Sequence, residues 1–128
     1  MDPIHAFYDH YNRGDLDATI GVFSDDAVLV NTVLGQTFDG AAAIRGFLDD
    51  YADIVVEPRA FPLGPPQQDD GLIFTTVKLG GRLRHTGITE DILPSELVHG
   101  FRLHEGRITW YAISSTRVDA LRAAGLID

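Results

Sequence analysis

Apolar residues in the first half of the chain recur at the spacing of an amphipathic helix in three segments, residues 4–11, 16–23 and 44–51. Between the second and third segments, residues 27–30 form a short apolar run that is typical of a strand. This part of the chain is therefore predicted to form two helices, a strand and a third helix. An aspartate that can cap a helix precedes each helical segment: Asp2, Asp15 and Asp39.

After residue 54 the pattern changes to that of strands. The predicted strands comprise residues 54–61, 72–86, 96–104 and 107–116. Pro58 indicates an edge strand or a bulge. Gly80-Gly81 indicates either a hairpin turn or a bulge that bends one long strand, and we favour the bulge. With a short terminal helix at residues 118–124, the order predicts an α+β fold with helices on one face of a curved sheet.

The composition limits the possible classes of function. The chain has 128 residues, 45% of them hydrophobic, which suits one globular domain. It has no cysteine, which excludes disulfides, thiolate metal sites and a cysteine nucleophile. Nineteen acidic residues against ten basic ones give a net charge of −9, which disfavours binding to nucleic acid or to an anionic membrane surface. Because no signal-like N-terminus and no apolar run of ~20 residues occurs, a cytoplasmic location is expected.

Four segments of the sequence resemble the nuclear transport factor 2-like (NTF2-like) superfamily, in its branch of SnoaL-like polyketide cyclases and limonene-epoxide-hydrolase-like proteins. The resemblance implies a single domain over residues 1–128, shaped as a cone in which helices pack on the concave face of a curved, mostly antiparallel sheet. Because this fold carries isomerases, dehydratases, cyclases, hydrolases and non-catalytic binders, it does not by itself identify a function. The segments are FYDHYNRGD (7–15), FSDDAVLV (23–30), FDGAAAIRGFL (38–48) and VHGFRLHEGRIT (98–109).

The alternation of side chains along strands predicts which residues line a pocket in such a cone. The resemblance places Val77 and Leu79, from the predicted strand of residues 72–86, in the wall of this pocket. It also places Phe7 and Tyr11, from the first helix, there. His85 joins the wall if Gly80-Gly81 is a bulge. The expected wall is therefore mostly apolar. The strand residues predicted to face inward are Leu97, His99 and Phe101 on one strand, and Tyr111, Ile113 and Ser115 on the next.

The polar groups in this wall are the candidates for catalysis. His99 is predicted either as a general acid or base or as a core histidine satisfied by one partner. Asn31, at the end of the first strand, either holds a developing oxyanion or caps a turn. Tyr111 is the third candidate, as a second group that holds the oxyanion, and Tyr11 of the first helix is the alternative for this role. The polyketide cyclases carry an asparagine at the position of Asn31 and a histidine at the position of His99, so the resemblance implies a catalytic role for both.

The chain departs from its relatives where they place acidic groups. The resemblance puts the catalytic aspartate of the polyketide cyclases at Ile113, and the charged triad of the epoxide hydrolases at Val77, Leu79 and Ile113. The tyrosine and two aspartates of the ketosteroid isomerases correspond to Phe7, Asn31 and His99. Our leading hypothesis is therefore cofactor-independent cyclisation or isomerisation of a hydrophobic oxygenated small molecule, of polyketide or terpenoid type, with His99 as acid/base.

Two other hypotheses remain open: a non-catalytic small-molecule-binding protein, and a dimeric interaction module with a vestigial pocket. No cofactor is expected, and no metal, because the five histidines include no His-Glu-x-x-His arrangement. Trp110 is predicted to lie exposed on the outer face of the sheet, where it would mark a partner surface. Since relatives commonly pair through this face, a homodimer is expected.

Overall fold

The computed structural model describes residues 2–69, 71–83 and 96–127. Its helices are α1 (Asp2–Asn12), α2 (Leu16–Gly21), α3 (Ala41–Ile54) and α4 (Arg117–Ala123). Its strands are β1 (Phe23–Asn31), β2 (Gln36–Asp39), β3 (Val55–Pro62), β4 (Gln67–Asp69), β5 (Leu72–Leu83), β6 (Glu96–His104) and β7 (Arg107–Ser114). Among these helices, none is long and apolar enough to cross a membrane.

The strands form one mixed, strongly curled sheet in the order β2-β1-β7-β6-β5-β3, with β4 paired to β5. β1 runs parallel to β7, and the other pairs are antiparallel. α1, α2 and α3 pack on the concave face, where Ile4, Phe7 and Ile44 are fully or almost fully buried. The predicted α+β cone is confirmed.

The start of β1 differs from the prediction. The sequence pattern extends the second helix to Phe23, but α2 ends at Gly21 and Phe23 opens β1, where it pairs with Ile108. The register then shifts before Val28, so that Asp25 and Asp26 project from an irregular part of the strand. A second difference follows β1: residues 36–39, for which the sequence pattern predicts no strand, form β2, which runs antiparallel to β1.

The two aspartates expected to cap α2 and α3 behave differently. The Asp15 side chain accepts a hydrogen bond from the Ala18 amide at 3.0 Å and so caps α2 as predicted. Asp39 instead belongs to β2, opposite Val28, and Gly40 occupies the N-cap of α3. Gly40 has a positive φ of 94°, a conformation that aspartate adopts only at a cost.

The strand β5 runs without a break through Gly80 and Gly81, so the hairpin alternative is excluded. The bulge lies on the neighbouring edge strand: three steps on β3, from Val56 to Arg59, are matched by two on β5, from Arg82 to Gly80. Gly81 faces this bulge with a φ of +132°, and a Cβ added there would lie 2.6 Å from Cγ1 of Val55. The predicted extension of this strand to residue 86 lies outside the described residues.

The outer face of the sheet is covered by α4, which corrects the expectation for Trp110. Trp110 is only 9% exposed and packs with Leu121 and Ala120 of α4. Gly100 lies beneath this packing, where a Cβ would make ordinary van der Waals contact with the Ala120 methyl at 3.6 Å and with the Trp110 ring at 3.7 Å. Trp110 therefore belongs to a second hydrophobic core, between the outer face of the sheet and α4, and does not mark a partner surface. The homodimer stays a prediction, and Trp110 no longer supports it.

The contacts of Gly81 predict a specific sensitivity to substitution. Gly81→Ala is expected to lower the free energy of unfolding by about 1–3 kcal/mol, because it combines a left-handed φ with a steric overlap. The matched control is Gly46→Ala in α3, where nothing lies within 4 Å and alanine is expected to stabilise by about 0.5–1 kcal/mol. Urea unfolding of both variants measures this, and equal stabilities would contradict the strained β3–β5 bulge.

Candidate active site

A cavity of about 170 Å³ lies between α1, α3 and the concave face of the sheet. It brings together most of the residues predicted from the sequence, along with six that the sequence did not single out. The expected residues in its wall are Phe7, Tyr11, Asn31, Leu79, Leu97, His99, Tyr111 and Ile113. The additional wall residues are Val33, Leu34, Phe47, Leu48, Tyr51 and Ala60.

Four expected substrate-binding residues are not placed in this wall. Val77 and Phe101 face the core as predicted, but both are fully buried and do not line the cavity. The Phe101 ring stacks on Tyr111 and lies edge-on to Phe7, so the helix side of the core covers it. Ser115 is exposed because β7 ends one residue before it. His85 lies outside the described residues.

His99 lies in the cavity wall at the centre of β6 and is 3% exposed. Its Nδ1 atom is 2.7 Å from the hydroxyl of Tyr8 on α1. The hydroxyl of Tyr111, on the neighbouring strand β7, is 3.3 Å from each of the two ring nitrogens. The imidazole is thus held between two phenols that approach it from a helix and from a strand.

Tyr8 is a site residue that sequence reasoning missed. It shares the apolar stripe of α1 with Ile4 and Tyr11, at spacings of four and three residues, and a stripe residue is normally assigned to the core. Its ring is parallel to that of His99, with 5.9 Å between the ring centres. The helical spacing could have indicated that Tyr8 faces inward, but not that its hydroxyl meets a histidine 91 residues away.

Burial sets the protonation states of this group. It lowers the pKa of His99 from 6.5 to about 3, because the charged imidazolium would lose its hydration. Burial also raises the pKa of the Tyr8 and Tyr111 hydroxyls well above 10, with a smaller contribution from neighbouring tyrosines. At neutral pH the cluster is therefore an uncharged imidazole between two protonated phenols.

Asn31 satisfies one of its two predicted roles and leaves the other open. Its side-chain oxygen accepts a hydrogen bond from the Leu34 amide at 3.0 Å, which caps the turn after β1. Its side-chain nitrogen has no hydrogen-bond partner within the described part of the chain, and the residue lines the cavity. The amide nitrogen is thus available to donate to a ligand.

Two further phenols line the cavity from the helices. Burial is the main cause that raises the pKa of both Tyr11 and Tyr51, so both are protonated at neutral pH. The Tyr51 hydroxyl is buried and has no hydrogen-bond partner in the described structure. Sequence reasoning assigned Tyr51 to the apolar stripe of α3, and an unpaired hydroxyl there has no sequence signal.

The described wall contains no acidic or basic side chain apart from the neutral His99. Nor do the described residues include a cluster of three or more histidine, aspartate or glutamate side chains that could hold a metal ion. The wall is apolar, and its hydrogen-bonding groups are neutral. Such a site can bind an uncharged molecule and can pass a proton between phenol and imidazole, but it offers no carboxylate as a base.

The buried neutral state of His99 predicts a pH dependence of stability. Below about pH 6.5 the unfolded chain takes up a proton at this residue and the folded chain does not, because its folded pKa is lowered to about 3. This difference lowers the stability by at most about 1.4 kcal/mol per pH unit as the pH falls from 6.5 towards 3. His99→Gln removes this contribution, so its stability should fall less steeply with acid.

Urea unfolding at pH 7, 6, 5 and 4.5 measures these slopes. The matched control is His104→Gln, since the His104 side chain is 74% exposed. The control should keep the slope of the wild-type protein. Equal slopes for the wild-type protein and His99→Gln would show that His99 titrates normally in the folded state.

Comparisons with solved structures show the same fold. A protein from Sinorhizobium meliloti, described as a "putative polyketide cyclase", has a TM-score of 0.72 at 23% identity, over 89% of this chain and 94% of that chain. A protein with a ketosteroid isomerase-like fold from Catenulispora acidiphila, in complex with trimethylamine, has a TM-score of 0.76 at 14% identity, over 98% of this chain and 93% of that chain. An NTF2-like protein of unknown function from Burkholderia pseudomallei has a TM-score of 0.75 at 17% identity, over 95% and 94%.

At these identities the structures establish the fold alone. A comparison with curated protein sequences gives no match. The family model of the SnoaL-like domain, however, matches residues 4–111, which include most of α1, all of α2 and α3, the strands β1 to β6, the first part of β7 and the cavity wall up to Tyr111. The chain therefore belongs to the SnoaL-like family of NTF2-like proteins.

Proposed function

We propose that the protein binds a hydrophobic, oxygenated small molecule, of polyketide or terpenoid type, and catalyses its cyclisation or isomerisation without a cofactor. The observation that carries this proposal is the imidazole of His99, which lies in an apolar cavity wall and in contact with the hydroxyls of Tyr8 and Tyr111. In this proposal His99 is the acid/base, and Tyr111 and Asn31 hold the oxygen on which negative charge develops.

The low pKa of His99 restricts the mechanism. A free imidazolium is unstable in this environment, so a proton that His99 accepts from a substrate carbon must be matched by a proton delivered to the substrate oxygen in the same step. In the same step Tyr111 donates its hydroxyl proton to the substrate oxygen and takes up the ring N–H proton of His99, so that the imidazole changes tautomer, no ion remains and the product is the enol of a carbonyl compound. Return of a proton to another carbon completes an isomerisation and leaves the site unchanged.

Such a relay suits a substrate that is already reactive. A neutral imidazole with a pKa of about 3 is a weak base, so the rate rises with the acidity of the substrate's C–H or O–H group, and an ordinary ketone exchanges its α-protons only modestly faster than in water. The remaining acceleration comes from holding the reacting atoms in the correct geometry, to which the aromatic wall contributes. Family membership and the cyclase-like relative from Sinorhizobium meliloti support this reaction class.

A second candidate is a non-catalytic binding protein of the same family. It is favoured by the uncharged cavity wall, in which the described residues provide no carboxylate, and by the lowered pKa of His99. The same cavity would then hold its ligand unchanged.

Enolisation of a small probe ketone separates the two candidates. Acetophenone has one ring and exchangeable methyl protons. The exchange of these protons requires neither a metal nor a cofactor. In D₂O the wild-type protein is expected to replace these protons with deuterium at least ~10-fold faster than a protein-free blank. The loss of the methyl signal in proton NMR measures the rate.

His99→Gln and Tyr111→Phe should each return the exchange rate to near the blank, whereas the exposed His104→Gln should match the wild-type protein. Circular dichroism checks that each variant is folded. If acetophenone binds saturably but the wild-type protein exchanges no faster than the blank, catalysis by His99 is contradicted and the binding function remains.

A further inference from the structure

Tyr51 presents a buried hydroxyl that the fold itself does not satisfy. It lies on α3 and lines the cavity, and its hydroxyl oxygen is inaccessible to solvent and has no hydrogen-bond partner among the described residues. Buried hydroxyls in folded proteins are nearly always paired, because an unpaired one has lost its hydrogen bonds to water. A hydrogen-bonding group on a ligand in the cavity would supply the missing partner.

The surroundings of Tyr51 favour an uncharged partner. The described wall contains no charged side chain that could neutralise a carboxylate or an ammonium group. Arg59 is close enough to lower the pKa of Tyr11, but it does not line the cavity, and its guanidinium donates to the Pro58 carbonyl at 3.0 Å. A charged ligand would therefore lose its hydration without gaining an opposite charge.

The size of the cavity limits the ligand further. A volume of about 170 Å³ is close to that of apolar cavities of about 150 Å³ that accommodate benzene. One ring with a short substituent fills such a space, whereas three fused rings exceed it. Val33 and Leu34, which are 43% and 63% exposed, lie in the wall and mark the side from which a ligand enters.

From these three observations we infer that the ligand is a neutral single-ring compound with an acceptor oxygen, and that the Tyr51 hydroxyl selects it by donating a hydrogen bond to that oxygen. This inference rests on the proposed binding function and names its substrate class and a specificity-determining residue. Within the described structure Tyr51 makes no hydrogen bond to Tyr8, His99 or Tyr111, so its hydrogen bond to the ligand positions the oxygenated end and takes no part in the proton relay.

The test compares two probes of the same shape. Acetophenone carries a carbonyl oxygen, and α-methylstyrene carries a methylene group at the same place. Dissociation constants come from NMR titrations of the 128-residue chain. Tyr51→Phe is expected to weaken the binding of acetophenone roughly three- to tenfold, the effect of one lost hydrogen bond, and to leave α-methylstyrene within twofold.

Two further probes test the charge and the size of the ligand. Benzoate, which has the same ring with a negative charge, should bind at least ~10-fold more weakly than acetophenone. The three-ring ketone 2-acetylanthracene should also bind more weakly, because it exceeds the cavity. Tighter binding of either probe than of acetophenone would overturn the corresponding part of the inference.

The matched control variant is Asp50→Asn, which changes the exposed neighbour of Tyr51 on α3 and should alter none of the affinities. If the wild-type protein binds both single-ring probes and Tyr51→Phe weakens both equally or neither, the role of Tyr51 is wrong and the proposed binding function stands. If the wild-type protein binds neither single-ring probe, the proposed binding function itself fails.

Discussion

The contact between Tyr8 and His99 joins the two halves of the fold. Tyr8 belongs to the first helix and His99 to the central strand β6, and 2.7 Å separates the hydroxyl from the imidazole nitrogen. Because both side chains are almost completely buried, the Tyr8 hydroxyl depends on His99 for its polar partner, whereas His99 also contacts the hydroxyl of Tyr111. This contact adds to the apolar packing of Ile4 and Phe7 that holds α1 over the sheet, and the burial that results keeps His99 neutral.

The same burial explains why the groups in the cavity wall are uncharged although the chain as a whole is strongly acidic. The chain has a net charge of −9, whereas the described wall is formed by apolar side chains, phenols, one amide and one imidazole. In such surroundings each titratable group is driven to its uncharged form. An uncharged site favours ligands recognised by shape and by single hydrogen bonds, and proton transfers in which no ion is formed.

Much of this site follows from the sequence, and the physical reason is strand alternation. Alternation places His99, Tyr111 and Ile113 on the concave face and Trp110 on the outer one, as the structure shows. Alternation does not show how deeply a residue of the concave face is buried. It therefore could not distinguish Phe101, which the core covers, from Leu97, which lines the cavity.

The remaining differences depend on contacts between distant parts of the chain. Trp110 is buried because α4 folds back over the outer face, which no local pattern around Trp110 contains. The partners of His99 could not be assigned from periodicity either, because Tyr8 looks like any other apolar-stripe residue of α1. Gly81 was recognised as part of a bulge, but the extra residue lies on β3, and only strand register reveals that.

The central claim is that His99 is a neutral imidazole held between two phenols. Nitrogen-15 NMR of the histidine side chains, recorded from pH 8 to pH 4.5, tests it most directly. The account predicts that His99 keeps the chemical shifts of a neutral tautomer over this whole range, since burial lowers its pKa to about 3. A titration of His99 with a midpoint near 6.5 would contradict it.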